Sequence, residues 1–106
     1  MEFIETSVFT RAITRLISDE EYTGLQSMLA GCPEAGDLIP GGGGLRKVRW
    51  SNKRIQKGKR GGVRVIYYVQ SGDSLYMIYA YSKNKQEDLT ARQLKALRLY
   101  AREGVL

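Results

Sequence analysis

Phe9, Ala12, Ile13 and Leu16 recur at the i, i+3, i+4, i+7 spacing of one helical face, with Thr10, Arg11, Thr14 and Arg15 on the others. This predicts a helix capped by Thr6 or Ser7. Ser18 and Glu21 form a capping box braced by Ile17 and Tyr22, so a second helix starts there. It carries Tyr22, Leu25, Met28 and Leu29 on one side and stops at Gly31, ahead of Cys32 and Pro33. The period then changes to two. Leu45 to Trp50, Val63 to Gln70 and Leu75 to Tyr81 read as strands, the last two joined by a hairpin at Ser71-Gly72-Asp73. In the middle one Val63, Val65, Tyr67 and Val69 point one way, and Arg64, Ile66, Tyr68 and Gln70 the other. A second capping box, Thr90 with Gln93, opens a last helix with Leu94, Leu97 and Ala101 as its core-facing stripe. Met1 to Glu5 reads as a short strand added at one edge of the sheet.

The order is therefore β-α-α-β-β-β-α. It predicts an α+β fold in which a small antiparallel sheet has its helices packed on one face and its other face at least partly open. At 106 residues, with 42% hydrophobic and 26% charged positions, the chain fits one domain over residues 1–106 with a modest core. Pro33 to Gly44, ending in four glycines, reads as a flexible connection. A phosphate-binding P-loop is not expected there, because a strand follows rather than Gly-Lys-Ser/Thr and a helix.

Charge sharpens the picture. Between Leu38 and Gly72 there is no acidic residue, and Arg46, Lys47, Arg49, Lys53, Arg54, Lys57, Lys59, Arg60 and Arg64 all fall there. These nine come from a total of 17 Lys and Arg, which leaves eight bases against 11 acids elsewhere. A basic stretch on a slightly acidic body is the footprint of a polyanion-binding protein, though a solvated loop carries such charges too.

Two absences narrow the chemistry. The lone Cys32 cannot form an intrachain disulfide, and with no histidine the usual Cys/His zinc sites cannot be built, so no metal or other cofactor is expected. Acid–base work must come from carboxylates, lysine, tyrosine or arginine-stabilised charge. No apolar run approaches about 20 residues, and Glu2 and Glu5 stand where a signal peptide is basic. A cytoplasmic protein without a membrane partner is expected.

Three segments carry a resemblance: Gly44-Leu45-Arg46-Lys47-Val48-Arg49, Gly58 to Tyr68 (GKRGGVRVIYY), and Tyr79-Ala80-Tyr81-Ser82-Lys83-Asn84. Together with the Ser18 to Tyr22 and Asp88-Leu89-Thr90 helix starts, they make the chain resemble the RelE/HigB toxin superfamily, most closely its HigB-like branch. The resemblance implies a toxin of a type II toxin–antitoxin pair that cleaves mRNA in the ribosomal decoding site. It also implies a cognate antitoxin of helix-turn-helix type, with operator DNA reached only through the antitoxin complex. The antitoxin could cover the basic hairpin or grip the N-terminal helices.

Cleavage by 2′-hydroxyl attack needs a deprotonated nucleophile, stabilised phosphorane charge and a protonated leaving oxygen. Arg64 stands where the family keeps its phosphate-binding strand arginine, and its guanidinium has the bidentate geometry the phosphorane asks for. Lys57, Lys59 and Lys83 are the candidate bases, since an ammonium crowded by cations gives up its proton more readily, although each taken singly reads more simply as a plain phosphate contact. Tyr81, beside Lys83, is the best-placed phenol. Tyr68 can stack on a base, Tyr67 and Tyr79 read more simply as core, and Trp50 reads equally as a cap on the sheet or an RNA-facing platform. Arg46, Lys47, Arg49, Lys53, Arg54, Arg60 and Lys85 are candidate RNA or ribosome contacts. Where one branch has a catalytic tyrosine near the last helix this chain has Leu89 and Thr90, and the C-terminal histidine of another branch is absent. A noncatalytic module that blocks translation by occupancy is the alternative reading.

Overall fold

The computed structural model describes residues 1–50, 62–71 and 73–103, the last two without their side chains. Strand β1 (Glu2–Glu5) leads into helix α1 (Ser7–Leu16) and helix α2 (Asp19–Gly31). A two-residue strand β2 (Asp37–Leu38) precedes β3 (Leu45–Trp50), β4 (Val63–Ser71) and β5 (Ser74–Ser82), and helix α3 (Ala91–Glu103) follows. The caps are those the sequence specifies. Thr6 Oγ1 accepts from Phe9 N, Ser18 and Glu21 exchange both capping-box bonds, and Thr90 and Gln93 do the same ahead of α3.

The α+β class and the sequence of long elements stand, with three corrections. First, the five-stranded sheet, in the order β1-β5-β4-β3-β2, is mixed rather than antiparallel, because β1 runs parallel to β5. Thr6 explains why: its N–H and hydroxyl donate to Met77 O and Ile78 O, so the chain leaves the sheet along the direction of β5 and enters α1.

Second, the glycine-rich connection is tied down. The Tyr67 hydroxyl donates to Pro33 O at 2.6 Å and accepts from Gly36 N at 2.9 Å, and Arg46 donates to Gly36 O at 2.7 Å. With the segment anchored there, Asp37 and Leu38 pair with Lys47 and Arg46. Tyr67→Phe leaves the buried Gly36 N–H without its acceptor. Its expected cost is about 1–3 kcal/mol, read as a lower denaturation midpoint with an unchanged m-value.

Third, the helices lie on both faces. Phe9, Ile13, Leu25 and Leu29 of α1 and α2 pack on Val48, Val63, Val65, Tyr67, Leu75 and Met77, while Leu94, Leu97 and Ala101 of α3 cover Leu45, Ile66 and Ile78 on the opposite face. The physical cause is that β4 and β5 are apolar on both sides. Each fully buried side chain of this kind contributes roughly 1.5–3 kcal/mol, so the second face favours a cover as well.

A β-bulge completes the frame. Ile66 pairs with Tyr79 and Tyr67 with Met77, leaving Ile78 as the extra residue of β5. Leu75 and Met77 face α1 and α2; strict alternation would send Tyr79 and Tyr81 after them. The bulge reverses the parity, so Ala80 faces α1 and α2 while Tyr79 and Tyr81 join the α3 face.

Candidate active site

Arg64 is aimed by its strand position. In β4 it alternates with Val63 and Val65, and so projects from the face that carries Ile66, but beyond the reach of α3's core stripe. Its direct neighbours across the ladder are Arg49 in β3 and Tyr81 in β5. Gly62, at φ +122°, lets the chain turn into β4 with no side chain; a Cβ there would lie 3.5 Å from Arg64 Nη1. A non-glycine residue is strained at that φ.

The electrostatics of this row are unusual. Arg64 is only 7% exposed, another guanidinium stands directly opposite, and no carboxylate of the described residues lies within ion-pairing distance. Burial first, and the charge of Arg49 second, pull its pKa below the ordinary arginine value, while Tyr81, Glu87 and Asp88 act the other way. It remains a cation at neutral pH. Like charges placed opposite each other in a sheet are destabilising, and an incoming anion relieves that cost.

Asp88 is the residue that sequence reasoning missed. Its Oδ1 accepts from Leu89 N at 2.9 Å, lies 3.3 Å from Lys47 Nζ and stands 3.5 Å from the Tyr81 hydroxyl. The Leu89 N–H chiefly, and Lys47 after the opposing effect of burial, hold the carboxyl below its ordinary pKa, so it is ionised at neutral pH. Tyr81 shows the converse. Burial, then the Asp88 charge, push its phenol up to about 12, with Arg64 opposing. Tyr81 therefore keeps its proton through neutral pH and is a donor rather than a base.

The family model described as RelE toxin of RelE / RelB toxin-antitoxin system matches residues 1–105. The chain belongs to the RelE toxin family.

In this RelE-family toxin the candidate residues divide. Lys47, Arg49, Arg64, Tyr81 and Asp88 share one face of the sheet. Lys83 sits on the turn after β5, 3.8 Å from Glu87 Oε2, and Lys85 is exposed on the same turn. Arg46 is on the opposite face, where its guanidinium binds the Gly36 carbonyl; the one-residue step from Lys47 reverses its direction. Lys53, Arg54, Lys57, Lys59 and Arg60 lie outside the described residues.

The aromatic positions divide too. Trp50 packs with the α1 and α2 core, close enough to α2 that a Cβ on Gly24 would meet its ring at 3.4 Å, and its buried indole N–H has no partner among the described residues. That fits the cap on the sheet rather than a platform for RNA. Tyr67 holds the 33–36 loop, Tyr68 pairs with Tyr76 at 6.5 Å in the α3 core, and Tyr79 lies 5.9 Å from the Tyr81 ring. Cys32 caps α2 and is exposed.

Proposed function

We propose that this RelE-family toxin is a metal-independent endoribonuclease that cleaves mRNA on the ribosome and is neutralised by a cognate antitoxin. The observation that carries this reading is Arg64: a buried cation facing a second cation, beside a protonated phenol, with no carboxylate of the described residues paired to it. Such a row is electrostatically incomplete until a phosphodiester arrives.

The chemistry follows from the charges. The RNA 2′-oxygen attacks the adjacent phosphorus as a base removes its proton; the bond from phosphorus to the 5′-oxygen breaks, leaving a 2′,3′-cyclic phosphate and a 5′-hydroxyl end. Arg64 stabilises the dianionic phosphorane, with Arg49 adding charge from the neighbouring strand. Tyr81 gives its proton to the departing 5′-oxygen. Lys57, Lys59 and Lys83 are the candidates for the base, and Lys47, Arg49, Lys53, Arg54, Arg60 and Lys85 for contacts with mRNA or ribosomal RNA phosphates. The HigB-like assignment rests on the three quoted segments. A helix-turn-helix antitoxin that carries the complex to operator DNA belongs to the same reading.

Mapping of mRNA 5′ ends in a reconstituted translation mix tests it. New ends phased to ribosome position are expected when the toxin is added, and none when its antitoxin is added with it. Arrested synthesis on intact messages would instead establish occupancy without chemistry.

A further inference from the structure

β1 pairs only with Ser74 to Met77, so residues 78–82 of β5 have no strand beside them on that side among the described residues. α1 runs past this uncovered edge and the turn after β5 flanks it. Between them lies a groove of about 450 Å³, with Ala12 and Arg15 from α1, Tyr79 and Tyr81 from β5, and Lys85 and Gln86 from the turn among its walls. Nothing in the cleavage chemistry described above uses Arg15.

Three features suit this groove to a nucleotide. Tyr81 is both its wall and the cross-strand partner of Arg64, so the groove opens about 5 Å, one strand spacing, from the strand that holds the reacting phosphate. Arg15 and Lys85 are exposed, and no carboxylate of the described residues pairs with either, so both are available to a phosphate. The tilted Tyr79 and Tyr81 rings give an apolar wall for a sugar or base, and the volume falls in the ordinary range for small-ligand sites of roughly 300–1,000 Å³.

We propose that this groove is a subsite for the nucleotide flanking the scissile phosphate, with Arg15 and Lys85 holding that nucleotide's phosphate. The proposal rests on the endonuclease reading. An extended acidic peptide added to the β5 edge is the competing occupant; continuity with Arg64 favours RNA.

The test is Arg15→Gln/Lys85→Gln in the full chain, assayed on ribosomes programmed with mRNA. KM should rise about tenfold with kcat unchanged, as expected for contacts that position the substrate without acting on the reacting atoms. The slope of log affinity against log salt should shrink by about 0.7, for the one phosphate of a single strand that the two side chains hold together. A neutral methylphosphonate at the flanking position should weaken the wild type similarly and add nothing to the double variant, the non-additivity of partners in contact. Both positions are exposed, so an unchanged melting temperature checks the fold.

If wild type cleaves and the double variant matches it in KM and salt slope, the subsite is overturned and the endonuclease stands. If wild type makes no ends, the endonuclease reading fails, and with it a subsite defined by a scissile phosphate. An unchanged KM together with weakened antitoxin binding overturns the proposal in favour of the peptide.

Discussion

Arg64→Ala is expected to slow mRNA cleavage about 10³-fold, the scale of losing one preorganised charge from a phosphoryl-transfer site. The loss should appear in kcat, because the phosphorane carries more negative charge than the bound phosphodiester and gains more from the guanidinium. The fold should survive. Arg64 has no carboxylate partner among the described residues and stands opposite Arg49, so truncation relieves a repulsion while it removes packing over Gly62. Arg64→Lys restores the charge without the planar fork, and should recover only about tenfold. Thermal melting and 5′-end mapping of the same preparations check both variants. A well-folded Arg64→Ala protein that still cuts within tenfold of wild type would remove Arg64 from the chemistry, and one that arrests translation without cutting would support occupancy.

The face of Arg64 was legible in the sequence because β4 keeps a strict period of two over Val63 to Gln70. Its partners were not. That Arg49 and Tyr81 flank it depends on register, and Tyr81 reaches this face only because Ile78 bulges, a feature that no composition signal in Leu75 to Tyr81 marks. In the sequence Asp88 marks only the approach to a helix start. Its contacts with Lys47, 41 residues away, and with Tyr81 across the turn exist only in three dimensions. The helices show the same division. The Leu94, Leu97 and Ala101 stripe says that α3 buries a face, and the capping boxes say where α2 and α3 begin, yet neither says which side of the sheet receives them. The two residues of β2 were hidden for a similar reason: the tyrosine that anchors their loop stands 31 positions from Gly36. That Arg46 and Lys47 part company was hidden because a run of basic residues looks uniform in sequence, whereas a strand sends neighbours to opposite faces.

Tyr81→Phe is the second large effect expected, a loss of about 10²- to 10³-fold in kcat with KM little changed, since the phenol is assigned only the proton that reaches the leaving oxygen. The assignment depends on the phenol being protonated where the enzyme works. With its pKa raised from 10.0 to about 12, Tyr81 is a full donor at neutral pH, and the rate should show no falling limb from this group as pH rises to 9. Ultraviolet difference titration of wild type against Tyr81→Phe isolates this phenol from the others. Asp88→Asn removes the carboxylate that disfavours tyrosinate, so the isolated transition should move from about 12 toward 10.0. The stability linkage has the matching sign: an unfolded phenol loses its proton first, so the folded form's advantage is complete below pH 10.0 and is lost as pH rises to about 12. In Asp88→Asn that window narrows. If Tyr81 titrates at an ordinary pKa in wild type, burial and Asp88 do not act on it as the geometry requires. If Tyr81→Phe keeps its kcat, the leaving oxygen takes its proton from another group, and Tyr81 serves only as the wall between the Arg64 row and the groove at the edge of β5.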